Sequence, residues 1–229
     1  MTSKIEWDKI KLVVFDVDGT LYNQKKLRFS MLCEMLKYTL MKRDFSIFLI
    51  IKHYRTLREE FGDKETYDFE TALINKTSQL SGYSEKKIRE VINEWIEIRP
   101  LKYLIDARYS GLEELFQALR ENKKSIGILS DYKAIAKLNA LKLEADIVVS
   151  AQDDEVKMLK PNPKGLIYIM KQAGVMTSET ILIGDRDERD GLAARRAGTH
   201  FLIKKKKYKD LNKHSFVQFN DEVFNPLFN

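Results

Sequence analysis

Hydrophobic and polar positions follow three successive rhythms along the chain. Ile10-Lys-Leu-Val-Val-Phe is a short apolar run rich in β-branched residues, the pattern of a buried strand. From residue 22 to about 108 only helical spacings follow. Ile47, Ile50, Ile51, Tyr54 and Leu57 fall at i, i+3, i+4, i+7 and i+10. Ser84 is placed to cap a helix carrying Ile88, Val91, Ile92 and Trp95 on one stripe, and Arg99-Pro100 is expected to end it.

Beyond residue 108 the pattern alternates. Ser110–Glu113 reads as a capping box opening a helix with Leu112, Leu115, Phe116 and Leu119 on one face. Strands are predicted over 125–130, 146–150, 180–184 and 200–203, and helices over 133–141, 163–173 and 189–197. Gly174 and Gly198 stand where helix C-termini need a left-handed residue. Such alternation implies an α/β fold, a doubly wound parallel sheet with helices on both faces. Ligands of such sheets bind outside the carboxyl ends of the strands. The expected division is a core of residues 1–21 and 109–229 with an all-helical insertion, 22–108.

Chemistry gathers at those strand ends. Asp16 and Asp18 close the first strand, and residues i and i+2 of a strand point the same way. Gly19 lets the backbone leave sharply. Two neighbouring carboxylates repel unless a cation or a proton relieves them, so the pair suggests a metal site whose acids do different jobs.

Asp16-Val-Asp18-Gly19-Thr20-Leu21 resembles the first motif of the haloacid dehalogenase superfamily in its phosphatase form. Three more of that superfamily's motifs follow in order: Ile126–Asp131, with Ser130 at its strand end; Lys160-Pro-Asn-Pro; and Ile181–Gly191, carrying Asp185 and Asp190. The resemblance implies a Rossmann-like core with a helical cap inserted after the first motif. It implies Asp16 as nucleophile, forming an aspartyl-phosphate, and Asp18 as general acid and then base. Ser130 and Lys160 would complete the catalytic set by holding phosphoryl oxygens. Gly19, Thr20 and Asp131 would lie at the substrate. Asp131 stands where relatives often have Asn, and an ionised Asp cannot donate a hydrogen bond. Asp16, Asp18 (through its carbonyl), Asp185 and Asp190 would hold Mg²⁺, which suits an oxygen-only donor set. Asp187 and Glu188 read as surface charge, and Arg186 and Arg189 as surface ion pairs.

The implied activity is Mg²⁺-dependent hydrolysis of a small phosphate monoester. A phosphomutase of the same superfamily and a non-catalytic module keeping the fold are the alternatives. A dehalogenase would need neither Asp18 nor Asp185. A phosphonatase would need a reactive cap lysine, and Lys25 and Lys26 read as solvated.

Composition alters this picture little. A 229-residue chain with 44% hydrophobic residues has room for one core and a subdomain. Its single cysteine, Cys33, rules out an internal disulfide and reads as a small hydrophobe on a helix face. The charged amino terminus lacks a signal-peptide core, and the longest apolar run, Phe45–Ile51, is far short of a membrane span, so a cytoplasmic protein is expected. A net charge of +6 concentrates at Lys204–Lys207 and Lys209, read as a solvated face, with no nucleic-acid motif. Oligomeric state is not legible, nor are roles for His53, Tyr54, Arg55 and Arg58.

Overall fold

A computed structural model describes residues 5–228; the first part of the amino terminus read for a signal peptide, residues 1–4, lies outside them. Six parallel strands form one sheet in the order β3-β2-β1-β4-β5-β6. These are β1 (Leu12–Phe15), β2 (Ser125–Ser130), β3 (Ile147–Ser150), β4 (Thr180–Gly184), β5 (His200–Lys204) and β6 (Ser215–Phe216). The predicted strands are all present, and β6 is an edge strand too short to leave a pattern in the sequence.

The first strand sits at the centre and is buried on both sides. Its alternation sorts two cores. Val13 and Phe15 face one side with Ile126, Ile128, Ile181 and Ile183, and Leu12 and Val14 face the other with Leu129, Val149 and Leu182. The first side is covered by α6 (Leu112–Glu121), by α7 (Ile135–Leu141) and by the aromatic carboxyl terminus, where Phe216 meets Phe224 edge-on at 5.0 Å. The second is covered by α8 (Lys164–Ala173) and α9 (Leu192–Ala197).

Between β1 and β2 the chain is wholly helical. The helices ahead of α6 are α1 (Gln24–Lys42), α2 (Ser46–Asp63), α3 (Phe69–Ser81), α4 (Glu85–Ile92) and α5 (Leu101–Ala107). The stripe read from Ile47 to Leu57 is buried throughout, as is that of Ile88, Val91, Ile92 and Trp95. Asn23 and Ser84 cap α1 and α4 with their side chains. The chain enters and leaves this helical unit side by side: Tyr22 and Arg108 form an antiparallel bridge, and Tyr109 N–H donates to the Leu21 carbonyl at 3.1 Å.

The helical stretch carrying Trp95 stops at Arg99-Pro100 as expected, after a π-helical segment, Asn93–Ile98, and Pro100 then precedes α5. Three expectations need correction. Ser110 makes no capping box; Gly111, with φ of +78°, occupies the N-cap of α6, a left-handed conformation glycine takes without strain. Cys33 lies on α1 but on its exposed side. Lys204, read as part of a solvated run, is only 9% exposed. It ends β5, donates to the Val217 carbonyl at 2.9 Å and sits 3.7 Å from the Tyr109 ring centre.

Burial pushes Lys204 down to about 8 from an ordinary 10.5. Between those values the unfolded chain holds more protons than the folded one, so this group makes stability rise with pH there and penalises the fold below. Lys204→Met removes that slope. The urea midpoint of wild type relative to Lys204→Met is therefore expected to rise from about pH 7.5 to about pH 10. A pH-independent difference would refute the assignment.

Candidate active site

The carboxyl ends of β1, β2 and β4 meet at one point because these strands are neighbours in register. Phe15 pairs with Ile128 on one side and Ile183 on the other. Asp16 N–H extends the ladder by donating to the Ile183 carbonyl at 2.9 Å, which fixes Asp16 at the sheet edge. Gly19, at φ +106°, turns the chain away, and a Cβ there would lie 2.3 Å from Asp185 Oδ2. That glycine therefore serves both the turn and the approach of Asp185 to Asp16.

Asp190 reaches the same point by another route. Asp187–Gly191 forms a π-helical turn whose amides converge on the Arg186 carbonyl. The wider turn aims Asp190 inward, where Oδ2 accepts from the amides of Asp185 (3.2 Å) and Arg186 (3.0 Å). A Cβ on Gly184 would lie 2.3 Å from the Asp190 side chain, so the strand's last glycine makes room for it.

Carboxylate oxygens of Asp16, Asp185 and Asp190 lie within 4.8 Å of one another. Lys160 is buried among them, ion-paired to Asp16 and, at 2.7 Å, to Asp190. Burial alone would discharge Lys160, but those carboxylates hold it protonated. One ammonium cannot balance three acids. Burial, with the Asp190 and Asp185 charges, pushes Asp16 well above the usual carboxylate range against the pull of Lys160. Burial and Asp190 likewise raise Asp185 to about 6. A divalent cation relieves this excess of negative charge, and an all-carboxylate donor set suits a hard ion.

Asp18 has a different environment. Lys137 Nζ donates to both its oxygens, at 2.7 and 2.8 Å, and the Tyr22 hydroxyl donates to Oδ1. Burial works to raise Asp18, yet the Lys137 charge and these hydrogen bonds hold it below the ordinary carboxylate value. Lys137 reads in sequence as one more polar position of a short helix, and only the turn of α7 toward β1 brings it to Asp18.

The remaining predicted residues support this arrangement. Thr20 Oγ1 donates to Asp16 Oδ2 at 2.8 Å. Ser130 is fully buried, its Oγ accepting from the Tyr132 amide at 3.2 Å. Asp131 Oδ1 accepts from the Lys160 amide at 3.1 Å, so a carboxylate works here as an acceptor that locates the lysine.

Helical insertion and core close over this point. Arg58 on α2 is 4% exposed, donates to the Asp131 carbonyl and to Tyr54 (2.9 Å), and stacks 4.2 Å from the Tyr132 ring centre. Arg189 is not on the surface: it donates to the Lys160 carbonyl (3.0 Å) and pairs with Glu59 (3.0 Å) and Asp63 (2.7 Å) of α2. Arg186 also pairs with Glu59, at 2.9 Å. A Cβ on Gly62 would lie 2.5 Å from Arg189 Nη1, so α2 comes down on the site through a glycine. Asp187 and Glu188 pair with Arg195 and Arg186, at 2.9 Å in each case. Between insertion and core lies a cavity of about 630 Å³ whose walls include Asp16, Asp18, Asp131, Lys160, Asp185 and Asp190.

Residues 13–204 match the haloacid dehalogenase-like hydrolase family, and the chain belongs to it, with its helical cap between β1 and β2. The glyceraldehyde 3-phosphate phosphatase of Methanopyrus kandleri is 26% identical over 88% of this chain and 87% of its own length. Pyrophosphatase PpaX of Bacillus mycoides is 24% identical, over 91% and 92%. Among solved structures, the HAD-hydrolase YfnB of Bacillus subtilis bound to magnesium shares the fold with a TM-score of 0.66 at 15% identity, covering 96% of this chain and 99% of its own. β-Phosphoglucomutase of Clostridium difficile shares it at 0.62 and 18% identity, over 96% of each chain.

Gly19→Ala puts a methyl group against Asp185 and demands a φ that alanine rarely adopts. It is expected to weaken divalent-cation binding at least tenfold by titration calorimetry while the circular dichroism spectrum stays native. Unchanged affinity would show that Asp185 takes no part in holding a cation.

Proposed function

We infer that the protein is a Mg²⁺-dependent phosphatase that hydrolyses a phosphate monoester of a small molecule through an aspartyl-phosphate. The observation that carries this reading is the buried Asp16 carboxylate, set between Lys160 and two further acids at the floor of a cavity that the helical insertion closes. The phosphatase activities named for the two curated relatives support it.

In the first step an Asp16 oxygen attacks phosphorus, the bond to the leaving oxygen breaks, and Asp18 gives that oxygen a proton. In the second, water attacks phosphorus, Asp18 takes its proton, and the Asp16 carboxylate leaves. The ionised Asp18, bound by Lys137 and Tyr22, is in the state the second step uses. A phosphate dianion entering beside it opposes the Lys137 charge and raises its proton affinity for the first. Thr20 orients Asp16, and Lys160 neutralises the nucleophile and the transferring oxygens. Ser130, at the end of β2, offers a hydroxyl to the phosphoryl group.

Asp16, Asp185 and Asp190, with the main-chain carbonyl of Asp18, would hold Mg²⁺, which supplies charge neutralisation between nucleophile and phosphate and polarises the phosphoryl group. Residues 22–108 act as a cap hinged near 21–23 and 106–111, with residues 1–21 and 109–229 as the core. The Glu59 and Arg58 contacts latch it shut, and closure excludes water from the intermediate. The substrate is a small phosphorylated molecule, because a closed cap leaves no room for a folded partner.

Asp16→Asn replaces the nucleophile with an amide and relieves one buried negative charge. It is expected to lower release of nitrophenol from p-nitrophenyl phosphate more than ~10³-fold without loss of thermal stability. Chelation should abolish wild-type turnover, and Ca²⁺ should inhibit it by drawing carboxylates into looser coordination. Turnover that survives exhaustive chelation, or near-wild-type rates in Asp16→Asn, would overturn the mechanism.

A further inference from the structure

The cavity changes character along its length. Helices α1 and α2 are joined by the short connection 43–45, so the start of α1 lies beside the end of α2. At that catalytic end the walls are polar: Gln24 and Arg28 from α1, Arg55, Thr56 and Glu59 from α2. Two turns further along α1 they become apolar. Met31, Leu32 and Met35 line this part together with Phe48 and Ile51 of α2 and with Trp95. Four of these six, Met31, Met35, Ile51 and Trp95, are less than a tenth exposed and belong to one buried apolar cluster, so this part of the cavity is a narrow apolar sleeve.

From Gln24 to Met35 is eleven residues of helix, about 16 Å at 1.5 Å per residue. A phosphate with a three-carbon body ends within the polar half of that distance. One charged residue, Lys52 beside Ile51 on α2, lines the sleeve beyond, and it is exposed, so its ammonium is met by water. Nor does the apolar character stop at its mouth. Leu32 both lines the cavity and is 46% exposed, and it continues a helical strip with Phe29 (69%) and Leu36 (48%). Apolar walls that lead from a phosphate site to an apolar surface fit a ligand with a polar head and a long apolar body.

We propose that the substrate is a phosphate monoester of an apolar alcohol, its phosphate at Asp16 and its hydrocarbon body in the sleeve between α1 and α2. The reaction assigned to this substrate rests on the phosphatase reading above; its mode of binding does not. The bond broken is the phosphorus–oxygen bond of the monoester, the alcohol leaves with the proton from Asp18, and water supplies the oxygen of inorganic phosphate.

Two measurements separate the claims. A series of linear alkyl phosphates from ethyl to decyl should show kcat/KM rising about three- to fourfold per methylene, which corresponds to ~0.8 kcal/mol each, until the sleeve is filled. Leu32→Asn and Met35→Gln should flatten that gradient, read as the ratio of octyl to ethyl phosphate. Binding is followed without turnover by fluorescence of Trp95, the other tryptophan, Trp7, being packed on Phe224 at the far end of the core. Octylphosphonate should bind at least a hundredfold more tightly than ethylphosphonate and should change that emission. If small esters are hydrolysed but neither rate nor binding depends on chain length, the proposal fails and the phosphatase reading stands. If phosphonate binding follows chain length while no ester is hydrolysed, the sleeve stands and the phosphatase reading fails. A gradient that survives both sleeve variants would place the apolar body elsewhere and overturn the proposal.

Discussion

The ion pair between Lys160 and Asp16 is the interaction on which the site depends. Both partners are almost completely buried, and an ionised Asp16 would not be tolerated there without the lysine. The ends of β1 and β4 bring three acids to one spot, and a single ammonium from the loop before α8 offsets part of their charge. The lysine is itself held by its backbone: its amide donates to Asp131 and its carbonyl accepts from Arg189. Arg189 in turn bonds to Glu59 and Asp63 of the cap. A chain of charged groups thus runs from Asp16 to the cap, so the position of the cap and the electrostatics of Asp16 are linked.

Two carboxylates one residue apart are driven in opposite directions by what surrounds them. Asp16 faces acids and one shared lysine, and burial dominates. Asp18 has a lysine to itself and a tyrosine hydroxyl besides. Paired acids with divergent environments titrate apart. Lys137 makes that difference, and it comes from α7, an element with no recognisable motif. Its contact with the Tyr132 ring, 4.9 Å from the centroid, puts it in the same aromatic and cationic layer as Arg58. The cap's main clamp and the partner of Asp18 therefore share one ring.

Much of this was legible in the sequence because it rests on local rules. A strand that must be buried on both faces reads as an uninterrupted apolar run, and a helix that covers it reads as a stripe; β1, β4, α2 and α4 follow from that. The acids at strand ends were legible as well, since Gly19 and Gly184 mark where the backbone must give way to a carboxylate. What stayed hidden depends on partners distant in the chain. Lys204 belongs to a run of four lysines and differs from the others only because it ends β5, beneath the Tyr109 ring. Arg189 and Arg186 sit in a segment of alternating charge, and nothing local says that one is buried under α2 while the other stays half-exposed. The stop at Arg99-Pro100 was legible, but not that a new helix opens directly behind it, where the proline's missing amide costs nothing.

The same distinction explains why the catalytic end of the cavity is easier to read than its far end. Phosphate chemistry needs charged residues at fixed points on a rigid sheet, and such residues stand out in an apolar run. Recognition of a leaving group needs only a surface of matching polarity, and Met31, Met35 and Ile51 have the same spacing whether they pack on a neighbouring helix or wall a cavity. Helical periodicity reports that a face is covered; it does not report by what. Residues of the cap helices α1 and α2 line one cavity together, and that can be seen only when both helices are placed on the core.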